Sequence, residues 1–288
     1  MSVLTAIFQA IGQAVSWVLP VSESGHSAIF HNFSGRFTNA CSQLTGVIHI
    51  GIAIGIFVAF IKLFILLFKN FTGAWGDIFK KRLDIKNTKP ARGFMYMTVL
   101  SFVPMLVYLI PVGKGRNVFS LLHSMSYNEY LIDEGIFFII SAAMLFAVPM
   151  LEQKRLKPLP DIFKSLIIGL AVFFALPIAG FSLTAVMLFI CILVGFSEKN
   201  ALRYWAVMSV MILLTGGIAE ICLGVTKASV ISAIIALVLS AAVSYFVSKL
   251  LIYFVKNKML KYFGVYDLTV GVICLIIGIF EFVLKQGK

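Results

Sequence analysis

Apolar runs longer than the roughly 18 residues that cross a bilayer core recur along nearly the whole 288-residue chain. Inside such a core every backbone N–H and C=O needs an internal partner, so only helices and closed barrels are open to the chain. The run lengths select helices. A composition of 60% hydrophobic and 12% charged residues excludes a soluble globular domain. The net charge of +12 would suggest nucleic acid in a soluble protein. Here most Lys and Arg fall in short loops between apolar runs, so they read as topology signals facing anionic lipid, and no nucleic-acid partner is expected. The cysteines (Cys41, Cys191, Cys222, Cys274) match no metal-binding spacing and read as packing residues. Met1 to Pro20 lacks a basic leader and a small-residue cleavage site, so it reads as retained.

The first apolar segment, within residues 3–34, is short and dotted with Gln9, Gln13 and Ser16, and it stops at Pro20. A Ser/Gly-rich turn and a weak second arm follow, which suits a re-entrant helical hairpin. Spans are expected at 45–68, 94–112 (kinked at Pro104) and 135–151. Residues 162–197 repeat the hairpin pattern, with Pro177 ending the first arm and Gly180-Phe181-Ser182-Leu183-Thr184 forming the turn. Spans at 204–223, 230–255 and 263–284 complete the chain. The basic loop 69–93, the Lys154/Arg155/Lys157 run and the Lys256/Lys258/Lys261 run read as cytoplasmic; the mixed loop from Lys114 to Asp133 reads as external. Each half (1–151 and 152–288) therefore holds one hairpin and three spans. Three crossings invert the second half relative to the first. The expected fold is an all-α polytopic membrane protein with an inverted-topology repeat, whose hairpin tips meet near the midplane. The competing arrangement is a plain bundle of full spans.

The chemistry concentrates in Leu19-Pro20-Val21-Ser22-Glu23-Ser24-Gly25-His26, eight residues holding two hydroxyls, a carboxylate and an imidazole in an apolar setting. Ionisable groups at membrane depth are functional suspects by default. A Ser/Gly turn feeding a helix presents N–H groups and a helix dipole to phosphate or carboxylate. Ser22, Ser24 and Gly25 are thus candidate phosphate contacts, joined by Gly180, Ser182 and Thr184 at the second turn. His26 is a candidate acid, base or nucleophile, and Glu23 a candidate cation ligand or orienting group.

This octet resembles the LPVSSSGH/LPVSSTGH signature of the bacterial undecaprenyl-diphosphate phosphatases of the BacA type, and the resemblance extends over essentially the whole chain. Val47-Ile48-His49-Ile50-Gly51 is similar to that family's VIQLG segment. Gly180-Phe181-Ser182 falls where the family has PG-x-SRSG, and Gly195-Phe196-Ser197 with Ala201 resembles its GLSR-x-A segment. The resemblance implies a multi-pass protein of the bacterial cell membrane that removes the terminal phosphate of undecaprenyl diphosphate. It also implies a Mg or Ca cofactor and a role in lipid-carrier recycling, cell-wall synthesis and bacitracin resistance. A homodimer stays open.

The departures from the family pattern are specific. The family's E-x-x-x-E, suited to gripping a divalent cation, appears here as Gln13 and Trp17. The second serine of the signature is Glu23, the SRSG arginine falls on Leu183 and the following glycine on Ala185. A Tyr-Arg pair appears as Tyr266-Asp267. Ser22, Gly25, His26 and Ser182 match, and Thr184 replaces a serine. A diphosphate needs its charge neutralised during phosphoryl transfer, and the missing arginine removes a bidentate clamp. Three readings follow: a polyprenyl diphosphatase using His26, Ser22 and Glu23; a non-hydrolytic transporter or binder of a lipid phosphate; and a structural or regulatory membrane partner. Movement of lipid between proteoliposome leaflets without phosphate release separates the second from the first. Indifference to substitution at His26 and Ser22 marks the third.

Overall fold

The computed structural model describes residues 3–34, 43–79, 90–113, 116–126, 130–151, 161–224 and 228–286. The basic cluster from Lys80 to Lys89, the Lys154/Arg155/Lys157 run, Lys114 and Cys41 lie outside the described residues. The chain is an all-α polytopic membrane protein. Helices α1 (Val3–Val18) and α2 (Glu23–Ser34) form the first hairpin. Next come α3 (Gln43–Ala59), α4 (Ile61–Phe79) and α5 (Pro90–Phe102). A 3₁₀ segment, Val103–Leu109, follows with Pro104 at its start. Helices α6 (Val118–Ser126) and α7 (Ile132–Leu151) come next. Helices α8 (Ile162–Ala175) and α9 (Leu183–Leu193) form the second hairpin, before α10 (Glu198–Leu223), α11 (Val230–Lys256) and α12 (Leu260–Gln286). Among the described residues the only sheet is the two-stranded pair Pro111–Gly113 and Arg116–Asn117.

Among the described residues, five helical stretches are long and apolar enough to cross a bilayer: 90–109, 132–151, 198–223, 230–256 and 260–284. The apolar run expected as one span at 45–68 consists of two helices. They are bent by 88° where α3 gives way to α4. Neither Pro nor Gly stands at the joint, Phe60. The bend is held from a distance, because the Lys249 ammonium of α11 donates to the Ala59 carbonyl at 2.8 Å. A cation at a helix C-terminus satisfies an orphan acceptor and complements the dipole.

Lipid tails are as apolar as Leu, so helices in a membrane associate through close packing and hydrogen bonds. The sequence supplies both. On α11, Ser232, Ala236, Ser240, Ser244 and Ser248 recur every fourth residue and are fully buried. Gly51 and Gly55 of α3 lie directly against Ser240 and Ser244, and Ser244 Oγ donates to Ile52 O at 3.3 Å. Two further contacts are reciprocal. A Cβ on Gly46 of α3 would lie 2.6 Å from Gly217 O of α10, and one on Gly217 would lie 2.8 Å from Gly46 O. Gly135 of α7 and Gly271 of α12 approach each other's carbonyls in the same way, at 2.8 Å each.

Overpacking of this kind destabilises by about 1–3 kcal/mol. Gly46→Leu is expected to lower the thermal unfolding temperature of the detergent-solubilised protein by several degrees. Gly12→Ala, where nothing lies within 4 Å of the added carbon, is expected to leave it unchanged or raise it.

Candidate functional site

The two hairpin tips are built alike. In the first, Ser22 precedes α2 and its Oγ accepts from Gly25 N at 3.1 Å. In the second, Ser182 precedes α9 and its Oγ accepts from Ala185 N at 3.3 Å. Each serine is thus an N-cap, satisfying one of the donors a helix start leaves free. Ser22 holds this position at φ +55°, a left-handed conformation uncommon outside Gly. Gly180 takes φ +92°, and a side chain there would run into the backbone of Glu134.

The tips touch. Ser22 Oγ donates to Phe181 O at 3.0 Å. A Cβ on Gly25 would lie 3.0 Å from Gly180 Cα and 2.6 Å from the Phe138 ring. The second tip is anchored on α7, where Ser182 N donates to Ser141 Oγ at 3.0 Å and Phe181 packs on Phe137 at 4.6 Å between centroids. The starts of α2 and α9 therefore converge on one region. The first-turn N–H groups of Glu23, Ser24, Leu183 and Thr184 have no acceptor within their own helices.

His26 stands beside this junction, half-buried. Its Nδ1 lies 2.8 Å from Ser22 O and its Nε2 2.7 Å from the Tyr266 hydroxyl of α12. A carbonyl oxygen only accepts, so Nδ1 carries a proton, and in the neutral ring Nε2 is the lone-pair nitrogen that accepts from Tyr266. The ring stacks on Tyr266 at 5.8 Å and meets the edge of Phe138 at 5.6 Å. Nε2 is thus a base held in one orientation.

The remaining candidates divide. Ser24 Oγ is 3.5 Å from Ser22 Oγ, at the edge of hydrogen bonding. Thr184 is engaged structurally: its Oγ1 donates to Trp17 O at 2.7 Å and accepts from Trp205 Nε1 at 2.8 Å, tying α1, α9 and α10 together. Glu23 Oε1 accepts from Ser27 Oγ at 3.3 Å. His49 and Glu220 are paired, Nδ1 to Oε2 at 2.7 Å. Reading the sequence segment by segment missed this pair, and Tyr266 as the partner of His26. The available signal was an ionisable residue inside an apolar run, which Glu220 and Asp267 both are. Asp267 follows Tyr266 and is 0% exposed, and neither carboxylate oxygen has a hydrogen-bond partner among the described residues.

The residues do not fit a resident divalent cation. Gln13 and Trp17 offer no carboxylate, and Glu220 is taken up by His49. Among the described residues no group of three His, Cys, Asp or Glu side chains could hold a metal ion. Glu23 alone is one ligand where a hard cation wants six or more oxygens.

Residues 6–273 match the family model described as "Bacitracin resistance protein BacA". The chain is also similar to curated proteins named "Undecaprenyl-diphosphatase". One from Methanosphaera stadtmanae is 24% identical, over 97% of this chain and 99% of that protein. Another from Alkaliphilus metalliredigens is 26% identical over 97% and 100%, and one from Oceanobacillus iheyensis 25% over 92% of each.

Thr184→Val strands the Trp205 N–H in a buried position, a loss of about 1–3 kcal/mol. Thermal unfolding is expected to show a clear drop for this variant and little change for Thr184→Ser.

Proposed function

The chain belongs to the BacA bacitracin-resistance family, and from that premise we propose that it hydrolyses undecaprenyl diphosphate to the monophosphate, recycling the lipid carrier of cell-wall synthesis. The observation that carries this reading is the convergence of two serine-capped helix starts beside a basic imidazole nitrogen. Helix N-termini bind phosphate through free N–H groups and the dipole. The diphosphate lies across the starts of α2 and α9, with the hydroxyl of Ser24 adding a donor. His26 Nε2 takes a proton from a water that attacks the terminal phosphorus. The water oxygen–phosphorus bond forms, the bond from that phosphorus to the bridging oxygen breaks, and its electron pair leaves with the lipid monophosphate. The proton on Nε2 is then returned to the released phosphate. Tyr266 gives up its bond to Nε2 and donates instead to a phosphate oxygen. Ser22 positions the imidazole through its carbonyl and locks the tip to Phe181 through its hydroxyl.

We further propose that the two halves are an inverted repeat, each a hairpin plus three spans, in the bacterial cell membrane. The reciprocal glycine contacts of α3 with α10 and of α7 with α12 support it, because corresponding elements meet each other across a two-fold axis. The matching caps, Ser22-Glu23-Ser24-Gly25 and Ser182-Leu183-Thr184-Ala185, support it too.

Purified protein is expected to release phosphate from undecaprenyl diphosphate. His26→Ala should reduce this by about 10²–10⁴-fold, the usual contribution of a positioned acid–base group. Unchanged turnover in that variant would refute the role of His26. Leu183 occupies the start of α9 where the family pattern has arginine, so Leu183→Arg is expected to raise turnover at least about tenfold.

A further inference from the structure

The 88° turn from α3 to α4 makes an elbow that the two helices do not fill themselves. Phe57 of α3 and Phe64 of α4 pack across it, 4.7 Å between centroids. Leu67 of α4, Met95 of α5 and Val207 of α10 are buried against one another and form its floor. With Phe68 of α4 and Val99 of α5, these residues line a groove of about 420 Å³, a volume in the range of sites that hold a small ligand. Thr98 brings a hydroxyl to the wall, but Oγ1 donates to its own helix, at 3.1 Å to Phe94 O and 2.9 Å to Met95 O. The groove therefore offers an occupant apolar contact and almost no hydrogen bonding. A polypeptide segment would bring backbone N–H and C=O groups that find no partners there, whereas a hydrocarbon chain brings none.

The rim is charged, and of one sign. Lys69 of α4 is the ionisable residue of the lining; its methylenes can lie along apolar wall while the ammonium reaches out of it. Lys62 stands two turns earlier on the same row of α4. Arg92 lies one turn before Met95 on α5, and Arg203 one turn before Val207 on α10. The chain has no acidic residue from Gln43 to Gly76 or from Pro90 to Leu109, and on α10 Glu198 stands farther back, beside Lys199. Basic pockets between membrane helices recognise anionic lipid headgroups.

We propose that the elbow is a binding site for an anionic diacyl lipid, with one acyl chain in the groove and the headgroup phosphate at Lys69. No described residue of the hairpin tips lines this groove, so the site is separate from the hydrolase reading and does not rest on it.

The test uses phosphatidylglycerol carrying a diazirine on one acyl chain, photolysed with the purified full-length protein in detergent, with labelled residues located by mass spectrometry. Labelling is expected at the groove on α4 and α5. A tenfold excess of unlabelled phosphatidylglycerol is expected to remove most of it, and the same excess of phosphatidylcholine with identical chains to leave it. The exposed face of α11 at Ile234 and Val238, read in the same sample, gives the level of unselective lipid contact, where the two lipids are expected to compete equally. Lys69→Glu is expected to cut groove labelling about fivefold, the contribution of one basic residue near the surface, and to leave α11 unchanged. Should that variant not be recoverable, Lys69→Gln takes its place with the same expected direction. Groove labelling no stronger than that of α11, equal competition by phosphatidylcholine, or undiminished labelling in the Lys69 variant would each overturn the proposal. Competition by undecaprenyl phosphate where phosphatidylglycerol fails would overturn it too, by giving the groove to a polyprenyl chain.

Discussion

The hydrogen bond from Ser22 Oγ to Phe181 O ties together two stretches of non-helical chain. Inside a bilayer, irregular backbone is tolerated only where protein or a wet cavity surrounds it. Each tip is therefore the environment of the other. The helix starts are capped by their own serines, the Phe181 carbonyl is satisfied by the facing tip, and Ser141 of α7 serves the Ser182 amide. The glycines follow from the same constraint, because Gly25 and Gly180 meet where side chains would hold the tips apart. Polar backbone that helix geometry leaves over at the tips becomes a concentrated set of N–H donors. That is what a phosphate group requires, so the solution to a folding problem also supplies the donors of the proposed phosphate site.

Charge is where this chain departs from the pattern its family resemblance implies. The proposed anion site draws on dipoles and hydroxyls, with no arginine at Leu183 and no paired carboxylates at Gln13 and Trp17. The ion pair among the described residues is internal, between His49 and Glu220. The acid–base element is oriented well: one ring nitrogen is fixed by the Ser22 carbonyl, and the other by a tyrosine on α12. A base held firmly but poorly assisted by positive charge implies slow phosphoryl transfer, because electrostatic stabilisation of the transition state is usually the largest single contribution.

The sequence carried the all-α membrane architecture because bilayer thickness sets run length, and length is visible without knowing partners. The tip turns were legible for a local reason too: Pro20 and Pro177 stop a helix, and Ser22 and Ser182 start the next one, all within a few residues. What was not legible depends on distant pairs. The 88° bend between α3 and α4 has no breaker residue at Phe60, and its support, Lys249, comes from α11, 190 residues away from Ala59. Glu220 pairs with His49 across 171 residues, and Tyr266 meets His26 across 240. Periodicity describes which face of a helix is buried, but not which helix covers it.

The most direct measurement is the rate at which diethyl pyrocarbonate modifies His26, followed by mass spectrometry of the purified protein. Undecaprenyl phosphate is predicted to slow that modification several-fold, and undecaprenol, with the same chain and no phosphate, to leave it unchanged. Equal protection by both lipids, or none by the phosphate, would contradict a phosphate site at the meeting of the tips.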